Sequence, residues 1–329
     1  MKLLHRRKLF HLAAGATAFS ALPATSRLAA AEPYPTRPVH LLVGFAPGGF
    51  TDITARLIGP WLSGRLGQQF VVENRPGASS NIAAAAVAHA APDGYTLLEL
   101  ADTNVHNVTL YDKLNFDFLR DITPVASIDR APFAMVVGPS SPAKTVAEFI
   151  AYAKAHAGKI NMASSGAGAS SGLFGELFKT MTGIEMVAVQ YRGIGLALPD
   201  LMSGRVDVIF IPVASAVGQV GAGKLRPLGV TSSTRVSVLP DVPAIGETVP
   251  GYEAVSWTGI GAPAGTPAEV IALLNRHINA ALADAAFTAQ LTKLGLEPFA
   301  STPVEFGKFI AAHTEKWGKI IRAAGIKAE

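Results

Sequence analysis

The sequence predicts an α/β fold in two lobes, each a mostly parallel sheet flanked by helices. Three observations carry this reading. Short aliphatic runs alternate with Gly-rich turns and helical patterns, the alternation restarts past Pro132, and a Pro-punctuated tail ends in three further helices. Strands alternating with helices imply parallel sheets covered on both faces.

The first unit sets the pattern. Residues 39–43, Val-His-Leu-Leu-Val, form a β-prone run, Phe45-Ala46-Pro47-Gly48-Gly49 interrupts it, and Thr51-Asp52 opens a helical pattern through Leu62. Residues 70–73 lead in the same way through 74–80 to an Ala-rich helix, and the strand 96–100 leads into 101–107. Past Pro132, a strand is expected at 133–137, a helix at 145–156 capped by Thr145 with Glu148 three residues on, and a strand at 160–164. A helix at 173–182, a strand at 186–189, a helix near 196–203 and strands at 206–211 and 225–231 complete this second lobe. From Leu239 the chain is extended and broken by Pro240, Pro243, Pro250, Pro263 and Pro267. Helices at 267–283, 286–294 and 303–324 then pack back on the first lobe. Lobe one is therefore expected to comprise about 34–131 plus 232–329, and lobe two about 132–231. The length suits two lobes, because single cores tend to split near this size.

The first residues have a different character. Lys2, Arg6, Arg7 and Lys8 precede an apolar stretch from Leu9 to about Leu22, and small residues end at Ala29-Ala30-Ala31 before Glu32. This is the layout of a cleavable secretory signal, too short in its apolar part to span a bilayer, so residues 1–31 are expected to be removed and the chain to work in the periplasm. Arg6-Arg7-Lys8-Leu9-Phe10 resembles a twin-arginine signal, with His5 where that pattern has Ser or Thr. Residues 1–31 hold five of the 28 basic residues and no acidic one, so their removal takes the net charge from +4 to −1. The pI of about 9.3 belongs to the precursor and gives no reason to expect nucleic acid or an anionic membrane as a partner. With no cysteine, the chain has no disulfide and no thiolate chemistry. The eight histidines are scattered without ligand spacing, and no cofactor is expected. Trp61, Trp257 and Trp317 are expected in core or hinge packing.

In open parallel sheets, ligands sit beyond the carboxyl ends of strands, where helix N-termini present backbone N–H groups. Gly48-Gly49-Phe50-Thr51-Asp52 would let backbone approach a ligand closely and aim the positive end of a helix at an anion, with Thr51 or Asp52 as the cap. Asp52 itself would repel an acid and is expected to cap. Ser164-Ser165-Gly166-Ala167-Gly168-Ala169-Ser170-Ser171 offers a matching loop on the second lobe. Tyr191 could pack against a ligand's body, and Arg192 could fork onto a carboxylate or simply sit solvated at a loop edge. The ligand-binding candidates are Phe45, Ala46, Pro47, Gly48, Gly49, Thr51, Ser79, Thr103, Ser164, Ser165, Gly168, Ser170, Tyr191 and Arg192.

Several motifs in order, spread over essentially the whole exported chain, resemble the substrate-binding component of tripartite tricarboxylate transporters, the Bug or TctC family. They are Tyr34-Pro35-Thr36-Arg37-Pro38, Gly44-Phe45-Ala46-Pro47-Gly48-Gly49-Phe50-Thr51-Asp52, Val72-Glu73-Asn74-Arg75-Pro76-Gly77-Ala78, Pro92-Asp93-Gly94-Tyr95-Thr96-Leu97-Leu98 and Tyr191-Arg192-Gly193. Gly223-Lys224-Leu225-Arg226-Pro227-Leu228, Leu239-Pro240-Asp241-Val242-Pro243 and Ala262-Pro263-Ala264-Gly265-Thr266-Pro267 continue the series. The resemblance implies a periplasmic-binding-protein type II architecture, with lobes joined by crossing strands and one carboxylate-type ligand in the cleft. It also implies a monomer that delivers a small organic acid to membrane transporter subunits and performs no chemistry. Similar proteins tend to have Gly-Ala-Gly-Gly at Gly77-Ala78-Ser79-Ser80, Val-Pro-Tyr at Val189-Gln190-Tyr191, a Ser-His pair at Ser171-Gly172 and an Asp at Ile211, so the departures fall near the expected site.

Two other classes compete. Gly168-x-Ser170-x-Gly172 matches a nucleophile elbow, with Asp207 and His277 following in hydrolase order, but four to five loop residues separate Ser170 from its strand and no HGGG-type motif precedes it. A sensor-input module would use the same fold to present its ligand to a separate protein.

Overall fold

The structure is a computed structural model that describes residues 34–165, 168–191 and 194–328. The expected signal segment 1–31 and Arg192 lie outside the described residues.

The opening unit is β1 (Val39–Val43) followed by α1 (Phe50–Leu66). Gly49 is the N-cap of α1, and Asp52 is its third residue rather than the cap. The helix continues through Pro60 beyond the expected end and stops at Gly67, whose φ of 71° is left-handed. Next come β2 (Phe70–Asn74), α2 (Asn81–Ala88), β3 (Thr96–Ala101), α3 (Asp102–Leu110) and the single turn α4 (Phe118–Asp121).

The strand β4 (Ile122–Val137) runs through the middle of the sheet. Its 16 residues pair antiparallel with β9 (Val255–Pro263) up to Pro132. From Phe133 onward its partners are β7 (Val208–Pro212) and β8 (Arg226–Val230), also antiparallel. The sequence pattern predicted a strand only from 133. Pro132 reads as a break; in the structure Pro124 falls at a register shift and Pro132 where partners change, places where a missing N–H is tolerated.

Between β4 and β8 run α5 (Val146–Ala155), β5 (Asn161–Ser164), α6 (Ser170–Thr182), β6 (Val187–Gln190), α7 (Leu198–Ser203), β7 and α8 (Val213–Gly221). The Thr145 side chain accepts the Glu148 N–H at 3.1 Å, as the capping pattern predicts. The tail adds β9, α9 (Ala268–Ala283), α10 (Ala285–Lys293), β10 (Glu297–Pro298) and α11 (Pro303–Ala323).

Among the described residues, ten strands form one sheet ordered β2-β1-β3-β9-β4-β7-β5-β6, with β8 and β10 both on β4. The parallel pairing expected from strand–helix alternation holds at β2-β1-β3 and at β6-β5-β7. The centre, where β4 and β9 run, is antiparallel. All nine residues of β9 are buried. Gly259 and Gly261 on it admit no side chain: a Cβ at 259 would lie 2.4 Å from the Phe306 ring, and one at 261 would lie 2.7 Å from Ile122. Gly259 makes room for the Phe306 ring of α11, and Gly261 for Ile122 and Leu100 of the neighbouring strands.

Trp257 and Trp317 are fully buried. Trp61 is half-buried, and its indole N–H donates to the His277 carbonyl at 3.1 Å. All three serve packing, as expected. Among the described residues, no helix is long and apolar enough to cross a membrane.

Candidate functional site

A cleft of about 700 Å³ lies over the segment where β4 changes partners, with Ala131, Pro132, Phe133 and Ser256 among its walls. Four helices that follow the carboxyl ends of strands line it with their first residues. They are α1 after β1, α3 after β3, α6 after β5 and α8 after β7. Helix N-termini carry N–H groups without intrahelical partners and roughly half a positive charge each.

At α1 the first intrahelical bond runs from Ile53 N–H to the Gly49 carbonyl at 2.9 Å, so the N–H groups of Phe50, Thr51 and Asp52 precede the ladder. The Gly48 N–H is already used, donating to Asp52 Oδ2 at 2.8 Å. Burial pushes the Asp52 carboxyl up, and bonds from Arg56, Gly48 and Asn74 outweigh it, so its pKa falls below the ordinary value. Asp52 thus ties down the turn ahead of the helix, with its oxygens taken up by Gly48, Arg56 and Asn74. At α6 the ladder starts when Gly172 and Leu173 N–H reach the Ala169 carbonyl, both at 3.0 Å, which leaves Ser170 and Ser171 N–H ahead of it. Ser165 N–H donates to Ser171 Oγ at 3.1 Å, and the two hydroxyls lie 2.9 Å apart.

Two contacts join α3 to the loop that opens α6. Ser170 Oγ donates to Asp102 Oδ2 at 2.6 Å, and one turn along α3 the His106 Nδ1–H donates to the Gly168 carbonyl at 2.9 Å. Burial lowers the His106 pKa against the opposing pull of Asp102 and of that carbonyl, so the imidazole is neutral. Asp207, the acid of the hydrolase order, instead accepts the Asn161 N–H at the opposite end of β5 from Ser164. Among the described residues, no group of three or more His, Asp or Glu could hold a metal ion.

Of the residues singled out from sequence, Phe45, Gly48, Gly49, Thr51, Thr103, Ser165 and Ser170 line this cleft. Ala46 and Pro47 belong to the same exposed turn but are not among its walls. Ser164 is buried at the end of β5 behind it. Gly168 packs against α3, where an added Cβ would meet Leu110 at 2.0 Å. Tyr191 also lies off the wall: its hydroxyl donates to Asp200 at 2.7 Å, and its ring packs on the cluster around Leu201 and Ile209. Ser79 offers its carbonyl to the Asn107 side chain at 2.7 Å and does not face the cleft.

Sequence reasoning missed Asp102, the α8 entry Pro212-Val213-Ala214-Ser215 and the turn Leu294-Gly295-Leu296, all cleft walls. The strand-to-helix rule would have found α8. Its Val- and Gly-rich sequence is a poor helix former, which hid it.

Residues 54–326 match the family described as the tripartite tricarboxylate transporter family receptor. Protein BugT of Bordetella pertussis is 35% identical over 311 residues, covering 92% of this chain and 95% of that protein. A protein of R. palustris solved with adipate superimposes with a TM-score of 0.80 at 39% identity, covering 90% of this chain and all of that one. MatC from Rhodopseudomonas palustris, with bound malate, gives 0.75 at 34% identity, over 88% of this chain and all of that one. This chain belongs to the tripartite tricarboxylate transporter receptor family.

Proposed function

We propose that the chain is an exported periplasmic receptor that closes two lobes on one small carboxylate, does no chemistry on it, and hands it as a monomer to membrane transporter subunits. Lobe one would comprise about 34–131 plus 232–329, and lobe two 132–231. The observation that carries this reading is the convergence on one cleft of helix N-termini from both sides of the β4 partner change: α1 from one side, α6 and α8 from the other. Backbone N–H groups can take up a carboxylate there without a desolvated lysine. The adipate and malate found in the two R. palustris proteins support the ligand class. Nothing favours the hydrolase reading, since the described partner of Ser170 is a carboxylate and no described imidazole bonds to it.

A thermal-shift panel of organic acids tests the reading. A ligand that binds only the folded chain stabilises it by about 2.7 kcal/mol at a hundredfold excess over Kd. A shift with sugars or peptides and none with any acid would refute the carboxylate class. Gly49→Val tests the cradle. Gly49 has an ordinary φ of −77°, and a Cβ there meets only the Ala46 carbonyl at 3.4 Å, so the fold tolerates the change while bulk enters the cleft. Calorimetry should show at least tenfold weaker binding, about 1.4 kcal/mol. Ser165→Ala should cost less, because that hydroxyl is paired with Ser171. Wild-type affinity in a folded Gly49→Val variant would move the cradle elsewhere.

A further inference from the structure

Asp102 carries the one charged side chain among the described walls of the cleft, and it is negative. It is the first residue of α3 and is 3% exposed. A carboxylate there is favoured by its own helix's positive end, so this N-terminus, unlike those of α1, α6 and α8, already has its anion. One hydrogen bond, from Ser170, reaches its Oδ2, and no other described group donates to it. Two carboxylate oxygens offer about four acceptor sites, and the described donors take up one of them. No described lysine, arginine or histidine lines the cleft to offset it. The neighbouring His106 is buried with Nδ1–H committed to Gly168.

We propose that Asp102 selects ligands bearing an ammonium group, so that the preferred solutes are small zwitterionic acids rather than bare dicarboxylates. The inference rests on the reading of the cleft as a carboxylate receptor. The ligand carboxylate goes to the α1, α6 or α8 entries, and its ammonium donates to Asp102. A bare diacid would place a second anion in the same cleft as the Asp102 carboxylate, and like charges brought together out of water discriminate strongly against the wrong ligand.

Calorimetry with matched pairs differing by one amino group, succinate against aspartate and adipate against 2-aminoadipate, tests this. Wild type should bind at least one amino member tenfold or more tighter than its bare partner. Asp102→Asn should reduce that preference below threefold and strengthen binding of the bare diacid. An amide oxygen still accepts the Ser170 hydroxyl, so this variant keeps the contact between the two sides. The inference is overturned by a wild-type preference under tenfold in both pairs, measured without any variant, or by a preference that survives Asp102→Asn. Tight binding of bare diacids with no such preference overturns the inference and leaves the carboxylate reading standing. If no acid binds at all, both fall.

Discussion

Trp317→Ala is expected to lower the unfolding free energy by about 3–5 kcal/mol, the range for deleting a fully buried large aromatic side chain. The ring is completely buried on α11, stacks on Phe174 of α6 at 5.3 Å and 24°, and meets the His106 ring of α3 edge-on at 5.4 Å. The loss has two parts, the transfer of the indole out of water and the cavity left between three helices that cannot all collapse inward. The indole N–H has no partner within the described residues, so its removal orphans nothing. Trp317→Phe keeps the aromatic contact with Phe174 and should cost distinctly less. Both α3 and α6 present their first residues to the cleft, so loosening this wedge should also weaken ligand binding, although Trp317 is not a cleft wall. Urea unfolding of the three proteins decides it. A loss under about 1 kcal/mol for alanine would mean that the helices repack readily and that α11 does not fix them.

Local chemistry made much of this fold legible. The strand at 39–43 is an aliphatic run closed by a Gly-rich turn, and the helix behind Thr145 announces itself by a cap and a glutamate three residues on. What depends on a partner was not legible. β4 passes through Pro132, which reads as a break until β9 and β7 are known to lie beside the strand. β9 reads only as part of an extended, Pro-broken stretch, because its two glycines are explained by what lies against them, the Phe306 ring at Gly259 and Ile122 and Leu100 at Gly261.

The same division runs through the site. Phe45 and Gly48 to Thr51 before α1, and Ser165, Ala169 and Ser170 at the entry of α6, follow the general rule of strand, small residues, helix, and reach the cleft. Tyr191 follows a strand and sits in the Tyr191-Arg192-Gly193 motif, yet the packing of its ring and the Asp200 bond take it off the cleft wall. The turn Ala78-Ser79-Ser80 holds three successive non-glycine residues at φ of 44°, 52° and 76°. L-residues resist that conformation, and no local rule places Ala and Ser there. Asn107 bonds the Ser79 carbonyl and Asn104 the Ser80 hydroxyl, which is how distant side chains hold it. Asp102 was overlooked because a lone aspartate at a strand end is the ordinary cap of a helix.

Asp129→Asn is expected to become progressively more stable than wild type as the pH rises from 5 to 7. Asp129 is fully buried on β4, and burial pushes its pKa from 3.8 up to about 7, against the opposing hydrogen bonds of Thr258 and Thr54. Glu99 on β3 is buried as well. Its carboxyl is raised by burial and then by the charge of Asp129, against the opposing pull of the Thr258 hydroxyl. A raised carboxyl pKa means that the folded chain holds a proton which the unfolded chain releases above about pH 4. Stability at this group is therefore highest at low pH and declines as the pH climbs to about 7, at up to about 1.4 kcal/mol per pH unit. The whole interval from 3.8 to about 7 amounts to about 4 kcal/mol. The amide has no proton to lose, and its oxygen still accepts from the Thr54 and Thr258 hydroxyls, now at 3.1 and 2.8 Å. Three histidines work in the opposite sense: His313, lowered to about 3 chiefly by burial, with His106 and His277 lowered too, costs stability as the pH falls below 6.5. The raw pH profile of either protein mixes the two effects, whereas the difference between variant and wild type cancels the histidines. Denaturation at half-unit steps should show that difference growing in favour of asparagine up to about pH 7 and flat beyond it. A difference that stays constant from pH 5 to 8 would mean that Asp129 is already ionised in the folded chain, and the buried acid pair would then need a cation or water to hold it.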